Sequence, residues 1–117
     1  PDMIAKKYGK IINIASASAK HVIPTFGAYA AAKGGMITLT HQISEEVKND
    51  GINVNAIYLG MTNTDKTRER IGSDSAVTIK LEEMLQVEEV SKVVLFLASD
   101  DAKPIVGAAI DVFGLKY

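Results

Sequence analysis

The sequence has no cysteine and no tryptophan, and it has only three prolines and two histidines among 117 residues. Without cysteine it can form no disulfide scaffold, no thiolate zinc site and no iron–sulfur cluster, and it has no cysteine nucleophile. The two histidines, His21 and His41, lie 20 positions apart. A histidine-rich metal site is therefore not expected, and no residue is assigned as a metal ligand.

An excess of charge of one sign is also missing, since 13 Lys and Arg stand against 14 Asp and Glu, for a net charge of −1. A balanced chain has no electrostatic attraction to nucleic acid or to an anionic membrane surface. No apolar run reaches the ~18 residues of a membrane span, and the first residues do not resemble a signal peptide. We therefore expect a cytoplasmic protein with no nucleic-acid or membrane partner.

The residues that are present suit a folded domain, with 47% hydrophobic and 23% charged side chains. Disordered chains have few apolar residues and a high net charge, and this chain has neither property. Short apolar runs predict three strands, at 10–15, 52–58 and 108–113.

Two segments have helical periodicity. The segment 28–49 carries apolar residues at spacings of three and four, which predicts one buried stripe of Met36, Leu39, Ile43 and Val47. The segment 87–99 carries a second stripe of Val90, Val93, Val94 and Leu97. Gly51 follows the first helix and suits a left-handed cap.

The order strand, helix, strand, helix, strand predicts an α/β fold. Both connections are long enough for right-handed crossovers, so the strands should be parallel. Two helices leave part of a three-stranded sheet uncovered, so we expect upstream chain or another subunit to shield the edge beside residues 11–14. Residues 1–8 resemble the end of a helix that begins upstream, and we expect 1–117 to be a single partial domain. Residues 61–85 are irregular and are predicted to be a mobile substrate lid.

Tyr29 and Lys33 lie four residues apart on the first predicted helix, so their side chains share one face. A phenol is a weak base at neutral pH, but a neighbouring ammonium stabilises the phenolate. Such a pair could exchange a proton with a substrate near pH 7. The same spacing also arises by chance between ordinary helix residues.

Ser16 follows the first predicted strand, at the end where open α/β sheets bind ligands. It precedes Tyr29 by 13 positions, across a loop that could fold back. Its hydroxyl could then bind a substrate oxygen beside the tyrosine. Ser18 is a competing candidate for that role, and either serine could instead be a simple turn residue.

Three blocks occur in a characteristic order and spacing: Asn13-Ile14-Ala15-Ser16, then residues 28–35 (AYAAAKGG), then Val54-Asn55-Ala56-Ile57. Together they resemble the short-chain dehydrogenase/reductase family. The resemblance implies the C-terminal portion of a Rossmann-like doubly wound parallel sheet, here with three strands and two main helices.

The resemblance assigns a role to each polar residue by its position. Tyr29 would be the general acid/base that exchanges a proton with the carbonyl or hydroxyl oxygen of the substrate. Lys33 would stabilise the Tyr29 phenolate and hydrogen-bond the nicotinamide ribose. Tyr29 and Lys33 are therefore also candidate cofactor-binding residues. Ser16 would orient and polarise the substrate oxygen.

The turn after the second strand would contact the nicotinamide amide. Family members usually have Pro-Gly there, followed three residues later by threonine, whereas this chain reads LGMTNT over 59–64. Gly60, Thr62 and Thr64 are therefore the candidate cofactor-binding residues, with Leu59 in place of the proline.

The implied activity is hydride transfer between NAD or NADP and a small-molecule alcohol or ketone. The family's Gly-rich phosphate-binding turn does not occur within the 117 residues, so we expect these residues alone to lack full cofactor binding. Gly34 and Gly35 inside a helix predict close packing, either within the subunit or against a second copy in a homo-oligomer. The alternative is a truncated, non-catalytic fragment that acts only as an oligomerising or structural module.

A loop histidine and a charged run are further candidates. His21 lies between Ser16 and Tyr29 and could touch substrate, although a solvated loop residue has the same sequence signature. Lys66, Arg68 and Arg70 could meet an acidic substrate or a cofactor phosphate, or they could form a solvated surface.

Overall fold

The computed structural model describes residues 1–73 and 80–114. The described elements, in chain order, are α1 (Asp2–Lys6), β1 (Gly9–Ile14), α2 (Gly27–Val47), β2 (Ile52–Leu59), α3 (Asp65–Ser73), α4 (Val87–Ala98) and β3 (Ala109–Val112). The predicted strands and helices match β1, β2, β3, α2 and α4, with ends that differ by a residue or two. Helix α3 occupies part of the segment predicted to be an irregular lid, of which 74–79 lie outside the described residues.

The three strands form one parallel sheet in the order β1-β2-β3. Strand β1 pairs with β2 from Gly9 opposite Ile52 to Ile14 opposite Ile57. Strand β2 pairs with β3 from Ala56 opposite Ala109 to Leu59 opposite Val112. The α/β class and the parallel direction are confirmed. Within the described ranges the outer edge of β1 pairs with no strand, and Ile14 at its end is exposed.

The two faces of the sheet pack against different helices. The face toward α2 contributes Ala15, Ala56, Tyr58 and Ala109, which pack with Ile37 and Met36 of the helix. The opposite face packs with α4 through Ile12, Ile57, Leu59, Ile110 and Val112. Successive side chains of a strand point to opposite faces, so each strand contributes to both interfaces.

The buried face of α2 differs from the predicted stripe. Ile37, Thr40 and Ser44 are buried, whereas Leu39 is exposed, so the prediction that Leu39 faces the core is wrong. A hydrogen bond explains the rotation of the helix. The Asn13 side-chain amide on β1 donates to Thr40 Oγ1 at 2.8 Å, and Thr40 Oγ1 donates in turn to a backbone carbonyl of its own helix. The polar residue Thr40 therefore faces the sheet, where apolar periodicity alone predicts Leu39.

Helix α4 buries the predicted stripe. Leu97 is fully buried, and Val90, Val93 and Val94 pack against the same cluster. A capping box at Gln86 and Glu89 satisfies backbone N–H groups at the start of the helix. Beyond its end, the Asp100 carboxylate accepts a hydrogen bond from the Tyr8 hydroxyl at 3.0 Å, and this bond raises the pKa of Tyr8 above its ordinary value.

The two crossovers have opposite hands. All three strands are parallel in the order β1-β2-β3, while α2 and α4 cover opposite faces of the sheet. Consecutive connections that step in the same direction share a hand only when their helices cover the same face. The expectation of two right-handed crossovers is therefore wrong for one connection.

Two buried asparagines on β2 hold the segment that leads into β3. The Asn53 amide donates to the carbonyls of Lys103 and Ile105, at 2.8 and 2.9 Å. The Asn55 amide also donates to Ile105, and the Asn55 carbonyl accepts from Ala108 N–H. These bonds satisfy polar groups in an otherwise apolar interior and fix where β3 starts.

Gly51 confirms the predicted left-handed cap, with a φ of 74°. A Cβ at this position would also lie 2.2 Å from the Lys7 carbonyl oxygen. Both constraints favour glycine where the chain turns from α2 into β2.

Replacing Leu97 by alanine tests the packing of α4. Leu97 is 1% exposed, whereas Leu95 on the same helix is 74% exposed. We expect Leu97→Ala to lower the free energy of unfolding by about 2–5 kcal/mol, and Leu95→Ala to change it by less than about 0.5 kcal/mol. Urea denaturation followed by circular dichroism measures both. Equal losses for the two variants would contradict the described orientation of the helix.

Candidate active site

A cleft of about 1010 Å³ lies at the C-terminal end of the sheet. Because the strands are parallel, the loops that follow β1, β2 and β3 all emerge at this end. The lining comes from those loops, from the start of α2 and from α3, and it includes Ser16, Tyr29, Gly60, Thr62, Thr64 and Phe113. The volume is within the range of small-molecule sites in enzymes.

Ser16 lies at the point where β1 ends and a single 3₁₀ turn, Ala17–Ala19, begins. Its hydroxyl oxygen accepts a hydrogen bond from Ser18 N–H at 3.2 Å and another from Ser18 Oγ at 2.9 Å. Ser16 lines the cleft, whereas Ser18 is buried and is not part of the lining. Of the two serines considered from sequence, Ser16 is the one whose side chain borders the cavity.

Tyr29 is in the first turn of α2 and is 48% exposed, with part of its surface lining the cleft. Its ring meets the Phe26 ring edge to face, with centroids 5.7 Å apart. The Arg70 guanidinium of α3 lies over the Phe26 ring, 4.7 Å from its centroid. This stack ties α3 to the start of α2 and orients the tyrosine ring.

Lys33 lies one turn along α2 from Tyr29. Its Nζ atom is 5.8 Å from the centroid of the Tyr29 ring, a distance at which the ammonium is attracted to the aromatic face. The same Nζ donates a hydrogen bond to the carbonyl oxygen of Ile14 at 2.9 Å. The end of β1 therefore holds the ammonium close to the phenol.

The turn after β2 closes one side of the cleft. A Cβ on Gly60 would lie 3.0 Å from Phe113 Cα and within 3.3 Å of two carbonyl oxygens, so glycine permits the close passage of the chain segment after β3. Thr62 Oγ1 donates to the carbonyl of Gly60 at 3.2 Å. Thr64 Oγ1 accepts from Thr67 N–H, which caps the start of α3.

Backbone bonds around Thr62 hold this turn against the segment before α4. Asn63 N–H donates to the carbonyl of Leu85, and Leu85 N–H donates to the carbonyl of Met61. The Thr62 carbonyl accepts from Thr64 N–H at 2.9 Å. Within 1–73 and 80–114, no hydrogen bond uses the Thr62 N–H.

The charged residues of α3 divide into two groups. Lys66 and Arg70 line the cleft. Arg68 does not, because its guanidinium binds the side chains of Asn63 and Asp65. The loop residue His21 lies outside the lining and packs edge to face on Phe113, with ring centroids 5.4 Å apart.

The two phenylalanines of the cleft, Phe26 and Phe113, were not predicted from the sequence. Phe26 and Phe113 reach it only because the chain before α2 and the chain after β3 meet at one end of the sheet. Single aromatic residues in loops have no periodicity that distinguishes them. The position of Phe113 directly after the third strand was the available signal, because strand ends in parallel sheets border ligand sites.

Within the part of the chain that the structure describes, no group of three or more His, Asp or Glu side chains is placed to hold a metal ion. No helix there combines the length and the apolar character needed to cross a lipid bilayer.

Comparison with known proteins identifies the family. The family model described as enoyl-(acyl carrier protein) reductase matches residues 1–114. The chain is 38% identical over 123 residues to the 3-oxoacyl-(acyl-carrier-protein) reductase of Pseudomonas aeruginosa, covering 98% of this chain and 48% of the relative. The chain belongs to the short-chain dehydrogenase/reductase family, whose members are oxidoreductases.

Solved structures agree with this assignment. A protein described as a short chain dehydrogenase/reductase family protein superposes with a TM-score of 0.86 at 33% identity, over 96% of this chain and 47% of its own. A 4-hydroxyisoleucine dehydrogenase complexed with NADH superposes with a TM-score of 0.78 at 29% identity, over 97% of this chain and 48% of its own. The chain spans about half the length of the curated relatives it matches.

Proposed function

We propose that this protein is an NAD(P)-dependent oxidoreductase that interconverts a small-molecule alcohol and ketone, with Tyr29 as general acid/base. The single observation that carries the proposal is the shared cleft. Ser16 and Tyr29 both line it, and the Lys33 ammonium lies 5.8 Å from the tyrosine ring. A hydroxyl, a phenol and an ammonium in this arrangement can bind an oxygen and move a proton to or from it.

Tyr29 performs the proton transfer in this proposal. In the reducing direction the phenol donates its proton to the carbonyl oxygen as negative charge develops there. In the oxidising direction the phenolate accepts the hydroxyl proton of the alcohol. Lys33 stabilises the phenolate through its positive charge, and the hydrogen bond to Ile14 keeps that charge in place.

Ser16 holds the reacting oxygen by donating its hydroxyl proton in a hydrogen bond. A fixed donor of this kind stabilises charge that builds on the oxygen during reduction. The nicotinamide coenzyme, when bound, supplies the hydride to the substrate carbon or accepts it.

The residues after β2 and the lysine on α2 fit the nicotinamide half of the coenzyme. Lys33 has three N–H donors and uses one on Ile14, which leaves two for the ribose hydroxyls. The free Thr62 N–H suits the oxygen of the carboxamide. Gly60 lets this turn pass close to the backbone of Phe113, and Thr64 contributes its hydroxyl beside Thr67.

We propose that residues 1–117 are one partial domain of a cytoplasmic enzyme and supply its catalytic side. The substrate class follows from the polar groups above and from the 3-oxoacyl reductase among its relatives. Helix α3 contributes Lys66, Thr67, Arg70 and Ile71 to the lining, in keeping with the predicted role of 61–85 as a lid over the substrate.

Removing the Tyr29 hydroxyl tests the mechanism. General acid–base catalysis contributes about 10²–10⁴-fold to a rate, so Tyr29→Phe in the full-length protein should lower kcat by at least 100-fold. Thermal unfolding should be unchanged. The assay is nicotinamide absorbance at 340 nm with a panel of small ketones, 3-oxo esters and secondary alcohols.

Tyr8→Phe is the matched control, because Tyr8 is outside the cleft lining and binds Asp100. It should retain wild-type turnover. A fully active Tyr29→Phe enzyme would remove the acid/base assignment, and a wild-type protein that turns over no member of the panel would remove the proposed activity.

Coenzyme binding tests the assignment of the nicotinamide side. We expect the full-length protein to bind NADH or NADPH in a fluorescence titration. Lys33→Ala should weaken that binding and lower the rate, since it removes donors to the ribose. The 117-residue chain alone should bind weakly, because a Gly-rich phosphate turn supplies much of the affinity in such folds. Micromolar binding by the 117 residues would contradict our view that they hold only one side of the site.

We also propose that the protein forms a homo-oligomer through α2. Glycine in a helix interior costs about 1 kcal/mol relative to alanine, so Gly34 and Gly35 need a compensating contact. A Cβ on either residue would meet nothing within 4 Å in the described chain, so no close contact among these residues accounts for the glycines. A second copy that packs against this face would explain both glycines.

A bulky charge on α2 tests this interface. Gly35→Arg should convert an oligomer to monomers in sedimentation velocity, while the folding of the chain is unaffected. Gly72→Arg on α3 is the control, because a Cβ there is equally open. Its sedimentation should match that of the wild type. A wild-type protein that stays monomeric at high concentration would count against the interface.

The open glycine face also favours the second candidate function, a non-catalytic module that only oligomerises. The two candidates differ in one measurable respect. The module would assemble through α2 but show no nicotinamide-dependent turnover in its full-length form. The enzyme would show both assembly and turnover.

A further inference from the structure

Ser18 is a buried hydroxyl that the mechanism above does not use. It is 5% exposed, lies outside the cleft lining and belongs to the 3₁₀ turn that follows β1. Both of its donors are directed at one atom. Its backbone N–H and its hydroxyl donate to Ser16 Oγ, at 3.2 and 2.9 Å.

These two bonds limit what Ser16 can do in the cleft. A hydroxyl has one O–H donor and two lone pairs. Because Ser18 fills both acceptor positions, the O–H is the only hydrogen-bonding function that Ser16 has left. A hydroxyl that accepts hydrogen bonds is also polarised and becomes a stronger donor. Ser16 can therefore meet an oxygen in the cleft only by donating to it.

We propose that Ser18 is a positioning residue, which fixes Ser16 as a hydrogen-bond donor to the substrate oxygen. This inference rests on the proposed function, because it concerns the same oxygen. Without the Ser18 hydroxyl, Ser16 regains a free acceptor and can rotate or bind water. Carbonyl and alkoxide oxygens need a donor, so this freedom lowers the rate of the chemical step more than it lowers substrate binding.

A double-mutant cycle separates this role from a general effect on folding. The variants are Ser18→Ala, Ser16→Ala and the double variant of the full-length protein. The probe is the ketone that wild type reduces best in the panel above, with kcat and KM measured separately. We expect Ser18→Ala to lower kcat about tenfold, in line with the loss of one hydrogen bond, and to change KM less than about threefold. Ser16→Ala should lower kcat by about 100-fold or more, and the double variant should equal Ser16→Ala alone.

Two further variants distinguish this positioning role from a general structural effect of Ser18→Ala. Ser18→Thr keeps the hydroxyl and should recover most of the lost kcat. Ser44→Ala removes another buried serine hydroxyl, on α2 and outside the cleft lining, and should leave kcat unchanged. Thermal unfolding of each variant confirms that it is folded.

Each outcome bears on the proposal. Wild-type kcat in Ser18→Ala, or a tenfold loss that persists in the Ser16→Ala background, would overturn the positioning role and leave the proposed function intact. Full activity of Ser16→Ala would overturn the role of Ser16 and the role of Ser18 with it. Absence of turnover by the wild type would overturn the proposed function itself.

Discussion

Parallel pairing of β1, β2 and β3 is the constraint on which the candidate site depends. Regular backbone hydrogen bonds between the strands align all three of them in one direction. All three strand ends are then fixed at one edge. Those strand ends are followed directly by Ser16, the turn at Gly60 and Phe113. Residues far apart in sequence therefore border one cleft. A shift in register would separate them.

The docking of α2 fixes the position of the proposed catalytic pair, Tyr29 and Lys33, relative to the sheet. Asn13 on β1 binds Thr40, and the face of the sheet with Ala15, Ala56 and Ala109 packs against the helix. One rigid helix therefore carries Tyr29 and Lys33 to the end of β1, where the Ile14 carbonyl binds the lysine. Asn13 belongs to the block that first suggested the family, and its contact explains part of that motif as a structural requirement. Asn55 in the third block has a comparable role, because it clamps the chain before β3.

Features that depend on residues close together in the sequence could be predicted from it. Apolar runs predicted the three strands, and the spacing of four between Tyr29 and Lys33 was sufficient to place them on one helix face. Long-range contacts decided the rest. The buried side of α2 depends on a hydrogen bond between Asn13 and Thr40, which apolar periodicity cannot reveal. The stack of Arg70 on Phe26, the bonds from Ser18 to Ser16 and the opposite hands of the crossovers all join segments whose proximity exists only in the folded chain.

The proposed function depends on a phenol and a serine hydroxyl that bind the same reacting oxygen. A crystal structure of the full-length protein with a nicotinamide coenzyme and a ketone or alcohol tests this arrangement most directly. We expect Tyr29 Oη and Ser16 Oγ both to lie about 2.6–3.2 Å from the substrate oxygen. A substrate oxygen held by other groups, with Tyr29 and Ser16 both out of reach, would contradict it.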